Sequence, residues 1–538
     1  MVTGMATMDK PLNNLRQYCP QKIHFENLNI VTIIRISQVV TCICSLALSG
    51  AVVAAKWTMS PLLDTSVSYY DNITLSANNK NQELVTQVQP GLSVNAQGRR
   101  LQLSSSYSLG YIDYFGSEFS DRFFNTASAG MELEAIKEHL FVSSTASISQ
   151  QTVDPARSGG STDPSIISDN RTETRTWSIT PTLRNRFGVY ANSILSNQYS
   201  VVDYSSNQIN SSWTNNLSYS LSSGSWFNQL TWTGSANYSR SEQNKADSAQ
   251  ANGRVNYAFT DHWSTFILGR MQKYSYSLIH ADSNRYFINA EAGVVWKPSR
   301  KLQAEVGGGA VLNSSALSKN RVESEQSTWR AKVQIRPTTR TEFEVGREQA
   351  AYGSKEHLTF SHFTRKIRLS STYAEILITP QQGRVAAGQQ SVNNIGESAS
   401  GGVSQLNRAV TDDVLLQKRL ELNASLTLRK VSLNANAFLE RGEYQTTTSS
   451  DKRYGGNGGG QLKLGSRTNL AANASLQRYY FDNLNQTDNI YQFNVSASRT
   501  FSKHINSSLT YLWQKRNSNR NVVQYTSNQI TAQLKIKF

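Results

Sequence analysis

The chain ends with NQITAQLKIKF, residues 528–538, in which apolar and polar side chains alternate without a break. Successive side chains of a β-strand point to opposite faces, so this period of two predicts a strand with one apolar face. Chain ends usually fray. A strand that stops on an aromatic residue therefore indicates that the last residue has a structural partner. The apolar parity consists of Ile530, Ala532, Leu534, Ile536 and Phe538.

The same alternation recurs along most of the sequence. Residues 101–111, 230–238, 286–296, 302–312 and 420–428 each keep apolar side chains at every second position with few exceptions. These runs are about twice as long as a typical strand of a soluble protein. A tilted strand of about 9–11 residues is long enough to cross a bilayer. The pattern therefore favours membrane-spanning strands.

The connections between these runs fall into two classes that alternate along the chain. Short turns joined to longer loops in this way are typical of outer-membrane barrels. We interpret GGNGGG, inside the last of the longer connections, as a flexible loop tip. The short connections are 96–100, 137–139, 260–263, 297–300, 338–340, 429–430, 465–467 and 502–503, and the long ones are 151–173, 313–327, 380–411 and 445–459.

These features predict an all-β fold, a transmembrane antiparallel β-barrel of the bacterial outer membrane. We expect about 24 strands, in a range of roughly 20 to 26, with short periplasmic turns and long extracellular loops.

Only 17% of the residues are charged and 38% hydrophobic, below the usual values of about 25% and 45–50%. Serine, asparagine, threonine and glutamine make up the difference and disfavour helices. Every backbone polar group in hydrocarbon needs a partner, so the last strand should pair with the first.

The amino-terminal region has the composition of a secretory signal. Arg35 precedes an apolar stretch at 39–53, which small residues and Lys56 follow. We therefore expect residues 1–55 to be a signal peptide cleaved near Ala55, although the leader is long and lipid acylation is an alternative. We expect 56–63 to be a short periplasmic segment and 64–538 to be the barrel. All three cysteines lie in the leader, which suits an exported protein.

The mature chain is strongly basic. Removing the four basic and two acidic residues of 1–55 changes the net charge from +16 to +14. Such a charge favours anionic partners. If the apolar parity faces lipid, the other parity lines a polar interior. The candidate lumen-facing basic residues are Arg184, Arg254, Lys332, Arg336, Lys366, Arg368 and Arg419.

These basic residues admit two interpretations. They either pair with acidic residues across neighbouring strands, or they form a basic path for an anionic polymer. A barrel of this size encloses a lumen too wide for its own side chains to fill. Few residues precede the first predicted strand, so we expect a loop such as 380–411, rather than an amino-terminal domain, to narrow the lumen.

No arrangement of residues indicates an enzyme. The histidines lack the spacing of a metal site, and we expect no cofactor and no metal. A hydrolase using Ser361 and His362 is a minor alternative, because adjacent Ser and His are common in a serine-rich chain. We expect no nucleic-acid partner, and the sequence does not indicate an oligomeric state.

Two resemblances add to this interpretation. Ile530, Leu534, Ile536 and terminal Phe538 resemble the carboxy-terminal signal by which the barrel-assembly machinery recognises outer-membrane proteins for insertion. The chain also resembles the outer-membrane proteins associated with PEP-CTERM and exosortase loci of Gram-negative bacteria. The second likeness is carried by SVSYYDNITLSANNKNQELVTQVQPGLSVNAQGRRLQLSSSYSLGYIDYF (66–115), LFVSSTASISQQ (140–151), SHFTRKIRLSSTYAEILITP (361–380) and VLLQKRLELNASLTLRKVSLNANAFLERGEYQ (414–445).

The second resemblance implies a part in moving exopolysaccharide to the cell surface. Our leading hypothesis is a non-enzymatic barrel that forms or supports a passage for this polymer. It would contact outer-membrane lipid, lipopolysaccharide, the barrel-assembly machinery and anionic exopolysaccharide. The alternatives are an adhesive or structural barrel that binds polymer through its long loops, and a general porin-like diffusion channel.

Overall fold

The protein is described by a computed structural model. Residues 54–538 form one compact unit. The structure describes residues 55–115, 119–154, 156–157, 159–206, 211–242, 246–278, 281–314, 327–350, 353–378, 415–444 and 450–538. The predicted signal peptide, apart from Ala55, lies outside these ranges.

Twenty-four β-strands account for most of the described residues. The first twelve are β1 (Lys56–Tyr70), β2 (Glu83–Gln97), β3 (Leu101–Tyr114), β4 (Arg122–Ile136), β5 (Leu140–Thr152), β6 (Arg171–Phe187), β7 (Ala191–Tyr204), β8 (Ser212–Ser223), β9 (Leu230–Ser241), β10 (Ala246–Ala258), β11 (Trp263–Leu278) and β12 (Ala281–Ser299). The others are β13 (Leu302–Ser314), β14 (Ser327–Thr338), β15 (Thr341–Ala350), β16 (Gly353–Phe363), β17 (Ile367–Ile378), β18 (Leu415–Thr427), β19 (Val431–Tyr444), β20 (Ser450–Lys463), β21 (Thr468–Phe481), β22 (Gln486–Thr500), β23 (Ile505–Ser518) and β24 (Tyr525–Lys537).

Each strand pairs in antiparallel fashion with the next one in the sequence, and β1 pairs with β24. The closing register runs from Leu62 opposite Lys537 to Tyr70 opposite Gln529. The backbone N–H of Phe538 donates to the carbonyl of Pro61 at 3.0 Å. The final strand is therefore ordered up to Phe538 because it pairs with β1 and closes the sheet. The predicted closed barrel of about 24 strands is confirmed, whereas recognition of Phe538 by an assembly machinery stays a prediction.

The start of the barrel differs from the prediction. Residues 56–63 are not a separate periplasmic segment, because β1 begins at Lys56 and pairs with β2 from that residue onward. Pro61 is paired with Leu92 of β2, but its carbonyl points to the end of β24. In an antiparallel sheet the N–H points the same way as the carbonyl, so proline costs only the last hydrogen bond of the β1–β24 ladder.

The connections divide the barrel into two rims. Eleven short turns follow the even-numbered strands and contain two to six residues each, and the connections after odd-numbered strands reach 36 residues. Two short 3₁₀ turns, Asp482–Leu484 and Asn521–Val523, lie in the latter. Among the described residues no helix is long and apolar enough to cross a membrane. We call the two ends the turn rim and the loop rim.

The two faces of the wall differ as the alternation predicts. On β24, the apolar side chains of Ile530 and Leu534 are exposed on the outside, and Gln529, Thr531 and Gln533 point inward. Trp263 and Trp296 lie side by side on the outside near the turn rim, with ring centroids 6.0 Å apart. Aromatic residues at this level are typical of the girdles of membrane barrels. The outside of the barrel is therefore suited to lipid.

GGNGGG is not a loop tip but the middle of β20. Its backbone is paired on both sides, with β19 and with β21, so ladder hydrogen bonds replace the missing side-chain contacts. Close approach of the neighbouring backbone requires glycine most strongly at Gly455. A Cβ on Gly455 would lie 2.3 Å from the carbonyl oxygen of Leu476, whereas the nearest atom to a Cβ on Gly458 is 3.9 Å away.

This difference predicts opposite effects of two matched substitutions. We expect Gly455→Ala to lower the free energy of unfolding by about 1–3 kcal/mol, because the backbone of β21 must shift. Gly458→Ala should be neutral or stabilising by up to about 1 kcal/mol, because alanine loses less chain entropy in a strand. Urea unfolding of the purified barrel measures both. Equal effects at the two positions would contradict the close-approach explanation.

Candidate functional site

The lumen contains a segment of the chain that fills part of its mouth. We call the connection between β5 and β6, residues 153–170, the inner loop. Its described residues bind inward-facing side chains of β1–β4 and β21–β24. These contacts lie where those strands end at the loop rim. The inner loop therefore lies inside the barrel mouth against one side of the wall.

Asp163 anchors the inner loop to the closing seam of the barrel. Its carboxylate accepts a hydrogen bond from the Tyr70 hydroxyl at 2.8 Å and one from the Gln529 side chain at 3.4 Å. Its backbone carbonyl accepts from Arg171 at 2.6 Å. Tyr70 is almost completely buried. An unpaired phenol at such a site costs free energy, so these bonds hold the loop in place.

The residues after Asp163 bind β2, β3 and β4. The Tyr114 hydroxyl donates to the carbonyl of Ser165 at 2.9 Å, and Arg122 donates to the carbonyls of Pro164 and Ile166. The Ile166 side chain belongs to an apolar cluster inside the barrel. Burying it removes apolar surface from water and stabilises the inward position. The cluster also contains Tyr70, Ile73, Leu75, Val85, Ile112, Tyr114, Phe124 and Tyr525.

The first half of the inner loop reaches the other side of the seam. The carbonyl of Ala156 accepts from the Gln486 side chain at 2.9 Å, and that of Arg157 accepts from Arg516 at 2.8 Å. Ala156 also packs on Tyr479 and Phe481. The loop thus bridges two parts of the wall that lie on either side of the junction between β1 and β24.

The prediction that a loop narrows the lumen is confirmed, but the example that it gave was 380–411, and it grouped 151–173 with the external loops. The 380–411 segment lies outside the described residues, and the loop seen to narrow the lumen is 153–170. The composition of 153–170 is as polar as that of the other long connections, so the sequence predicts an external loop. Its backbone and side-chain contacts instead place it inside the mouth, so it is not available as an external adhesive loop.

Another part of the lumen wall, formed by β8 and β9, is lined with hydroxyl and amide groups. On β8 and β9 the inward positions carry only Ser, Thr and Asn. Such groups donate and accept hydrogen bonds without a fixed charge. This wall therefore suits a hydrated polar solute. The inward residues are Ser212, Thr214, Asn216, Ser218, Ser220 and Ser222 on β8, and Thr231, Thr233, Ser235, Asn237, Ser239 and Ser241 on β9.

A different part of the wall carries a network of paired charges on β10–β16. Glu291, whose side chain is fully buried, accepts a hydrogen bond from Arg270 at 2.6 Å. It also forms an ion pair with Arg330, whose Nε lies 3.0 Å from Oε2 of Glu291. Arg254 binds Glu305 through two contacts of 2.9 Å. Its guanidinium also lies 4.2 Å from the ring centre of buried Phe266. The network comprises Arg254, Arg270, Arg330 and Lys355 with Glu291, Glu305 and Glu348.

A second cluster on β18–β20 repeats this arrangement. Buried Glu440 accepts from Arg419 at 2.7 Å and from Arg453 at 3.0 Å. Both guanidinium groups lie near the ring of buried Phe438, at 5.0 and 5.2 Å. Charge-assisted bonds of this kind fix side chains in the wall. The cluster stiffens the wall because its cations are held against the protein.

The seven candidate basic residues therefore do not form one path. Arg254, Lys332, Arg336 and Arg419 are in ion pairs with Glu305, Glu344, Glu342 and with Glu421 and Glu440. These four residues follow the first of our two interpretations, in which basic residues pair with acidic residues across neighbouring strands. Arg184, Lys366 and Arg368 are exposed, and among the described residues none of the three has an ion pair. All three lie near the turn rim.

Three of the described histidines brace short turns of the wall. Among the described residues no group of His, Cys, Asp and Glu is arranged to hold a metal ion. His139, His262 and His504 each end a short turn, and Nδ1 of each hydrogen-bonds a backbone carbonyl of the strand that pairs with the one after the turn, namely β6, β12 and β24. Ser361 pairs with inward-facing Glu342, and His362 pairs with Thr341 on the other parity. Ser361 and His362 thus face opposite sides of the wall and form no catalytic pair.

Comparisons with known proteins give structural similarities only. No family model matches the chain, and no curated protein matches it. The siderophore receptor PirA from Pseudomonas aeruginosa is 12% identical, with 88% of this chain and 80% of that one covered and a TM-score of 0.39. The FrpB iron transporter from Neisseria meningitidis (F3-3 variant) is 8% identical, with coverage of 89% and 81% and a TM-score of 0.44. OmpT, an outer membrane protein of Vibrio cholerae, is 8% identical, with coverage of 61% and 98% and a TM-score of 0.24.

Similarities at this level say nothing about the solute. The closed antiparallel sheet, its apolar outside and its polar inside decide the class. The protein is an outer-membrane β-barrel.

Proposed function

We propose that this barrel forms a passage for exopolysaccharide, or a related surface polymer, in a PEP-CTERM and exosortase-associated system. The observation that carries the proposal is the wide lumen, lined on one part by uncharged hydroxyl and amide groups and narrowed at its mouth by the inner loop. A hydrated polysaccharide exchanges hydrogen bonds with such a wall at little cost, because each water it loses is replaced by a hydroxyl or amide. The family resemblance and the net positive charge support the same solute class.

The inner loop also favours a second candidate, a general diffusion channel. A segment that covers part of a mouth selects solutes by size whatever their chemistry. The two candidates differ in what a long polymer does. A polymer passage admits the chain end and is transiently blocked by it, whereas a size-selective channel conducts small ions and excludes the chain.

Single-channel recording of the purified protein in a planar bilayer tests the proposal. We expect ion conductance, with brief blocks when a soluble polysaccharide is added on the turn-rim side and a potential drives it inward. Uncharged dextran of the same length, driven by a concentration gradient, is the matched control for charge. Conductance without polymer blocks would favour the diffusion channel. Absence of conductance, together with normal polymer secretion in a deletion strain, would remove the passage altogether.

A further inference from the structure

The charges of the connections are strongly segregated between the two rims. The eleven short turns contain twelve Lys and Arg against two Asp and Glu, a net charge of +10. The connections of the loop rim contain eight basic and thirteen acidic residues, a net charge of −5. The positive charge carried by the connections is therefore located at the turn rim.

These turn charges are available to a partner. All twelve basic side chains belong to exposed residues. Among the described residues only Lys137 is in an ion pair, with the neighbouring Glu138 at 3.5 Å. In contrast, the cations of the lumen network on β10–β16 are held against buried carboxylates. The turn rim is thus the basic surface whose charge is not neutralised by the wall.

The basic residues are concentrated on one arc of the rim. Six consecutive turns, from the one after β12 to the one after β22, carry nine of them, and the turn after β2 carries two more beyond the closing seam. The turns after β4, β6, β8 and β10 have no net positive charge. We call the eleven residues the basic arc. They are Arg99, Arg100, Arg300, Lys301, Arg340, Arg365, Lys366, Arg429, Lys430, Arg467 and Lys503.

The spacing of the arc favours a long anion over a small one. Consecutive turns are two strands apart, which is roughly 10 Å. The Debye length at physiological ionic strength is about 8 Å, so the potentials of neighbouring turns overlap. A small anion meets only one turn at a time. A linear polyanion that lies along the arc gains from several turns together.

We propose that the basic arc is a docking surface for a carboxylate-bearing polysaccharide that approaches the barrel from the turn rim. This inference rests on the proposed function and names the chemistry of its polymer. The arc borders the entrance to the lumen, and its exposed cations complement regularly spaced carboxylates. The chain would be collected on the arc before it enters the polar lumen.

Binding of polygalacturonate, a linear chain with a carboxylate on each sugar, tests the docking surface. The rim variant carries Arg300→Gln, Lys301→Gln, Arg429→Gln and Lys430→Gln. The control variant removes the same charge from exposed residues of the loop-rim half, with Lys80→Gln, Lys273→Gln, Lys452→Gln and Arg478→Gln. Migration before and after boiling shows that both variants fold. The affinity is measured at several salt concentrations.

We expect the rim variant to bind roughly tenfold more weakly at low salt and to show a shallower salt dependence, because fewer counterions are released. The control variant should stay within about twofold of the unmodified protein. Unchanged binding by the rim variant, or an equal loss in both variants, would overturn the docking surface. So would loss of binding when phosphatidylcholine vesicles are replaced by phosphatidylglycerol vesicles, since the arc would then be occupied by lipid headgroups.

The outcome separates this inference from the passage itself. The four rim substitutions leave the lumen wall unchanged, so the rim variant should conduct ions like the unmodified protein. Conductance and polymer blocks without rim-dependent binding would overturn the docking surface alone. Rim-dependent binding by a protein that does not conduct would overturn the passage and keep the docking surface.

Discussion

Replacing residues 154–169 with a short glycine-serine link should raise the single-channel conductance about twofold or more, because the inner loop occupies part of the barrel mouth and conductance follows the open cross-section. The flanking strands β5 and β6 remain intact in this variant, and their pairing does not depend on the loop. Planar-bilayer recording under identical salt conditions measures the change. An unchanged conductance would mean that the loop does not limit the pore.

A matched pair of substitutions tests how the loop is held. Asp163→Ala removes the acceptor of the Tyr70 hydroxyl and of the Gln529 side chain. The Gln529 side chain keeps its hydrogen bonds to Tyr70 and Thr531, but the buried Tyr70 hydroxyl loses its acceptor. Leaving a buried donor unpaired costs about 1–3 kcal/mol, so we expect the loop to detach part of the time and the current to fluctuate between two levels. Asp169 belongs to the same loop, but its side chain is 80% exposed and pairs only with half-exposed Arg157. The Asp169→Ala variant should therefore show a single stable level of single-channel current.

The strand architecture could be predicted because its signal is local. Alternation of apolar and polar side chains reports directly which face each residue takes, as Ile530, Leu534 and their neighbours illustrate. The inner loop could not be predicted in this way. Its anchor joins Asp163 to Gln529, residues 366 positions apart, and its composition matches that of an external loop. The adjacent Ile166 and Ile167 are its strongest apolar signal.

The predictions from composition were wrong for two segments whose strand structure is stabilised by backbone hydrogen bonds. The glycines of β20 have no side chains to alternate, so no strand period exists there to detect. Pairing with β19 and β21 fixes the segment regardless. At the other end of the chain, Trp57 and Met59 share the outward parity of Leu63, but Pro61 between them interrupts the strand signal. Both errors arise because ladder hydrogen bonds depend on neighbours that are absent from a local window.

The charges of the lumen were predictable in position but not in pairing. The parity placed Arg254 and Arg419 inside, where they are found. Their partners depend on the register of several strands. Arg254 reaches Glu305, 51 residues away, across β11 and β12. The basic residues of the turns are different, because RK, TRK and LRK can be read directly from the sequence. Only the strand order shows that these turns lie next to one another on one arc of the rim.

Glu291→Gln is expected to lower the free energy of unfolding by about 3–5 kcal/mol, the usual cost of removing one partner from a buried charge network. The Glu291 side chain is fully buried, accepts a hydrogen bond from Arg270 and forms an ion pair with Arg330. With the carboxylate, the network has four cations and three anions. Without it, two adjacent guanidinium groups share less negative charge in a site that excludes water, and their repulsion adds to the loss.

Glu342 provides a matched control, because it also faces the lumen, on β15. Glu342 pairs with Arg336, but the two side chains are 41% and 52% exposed. Exposed pairs contribute less than about 1 kcal/mol, so Glu342→Gln should unfold almost like the unmodified barrel. Urea unfolding in lipid vesicles, followed by tryptophan fluorescence and by migration on gels, measures both variants. A similar small loss for both would show that water reaches Glu291 and that the network is solvated in the open lumen.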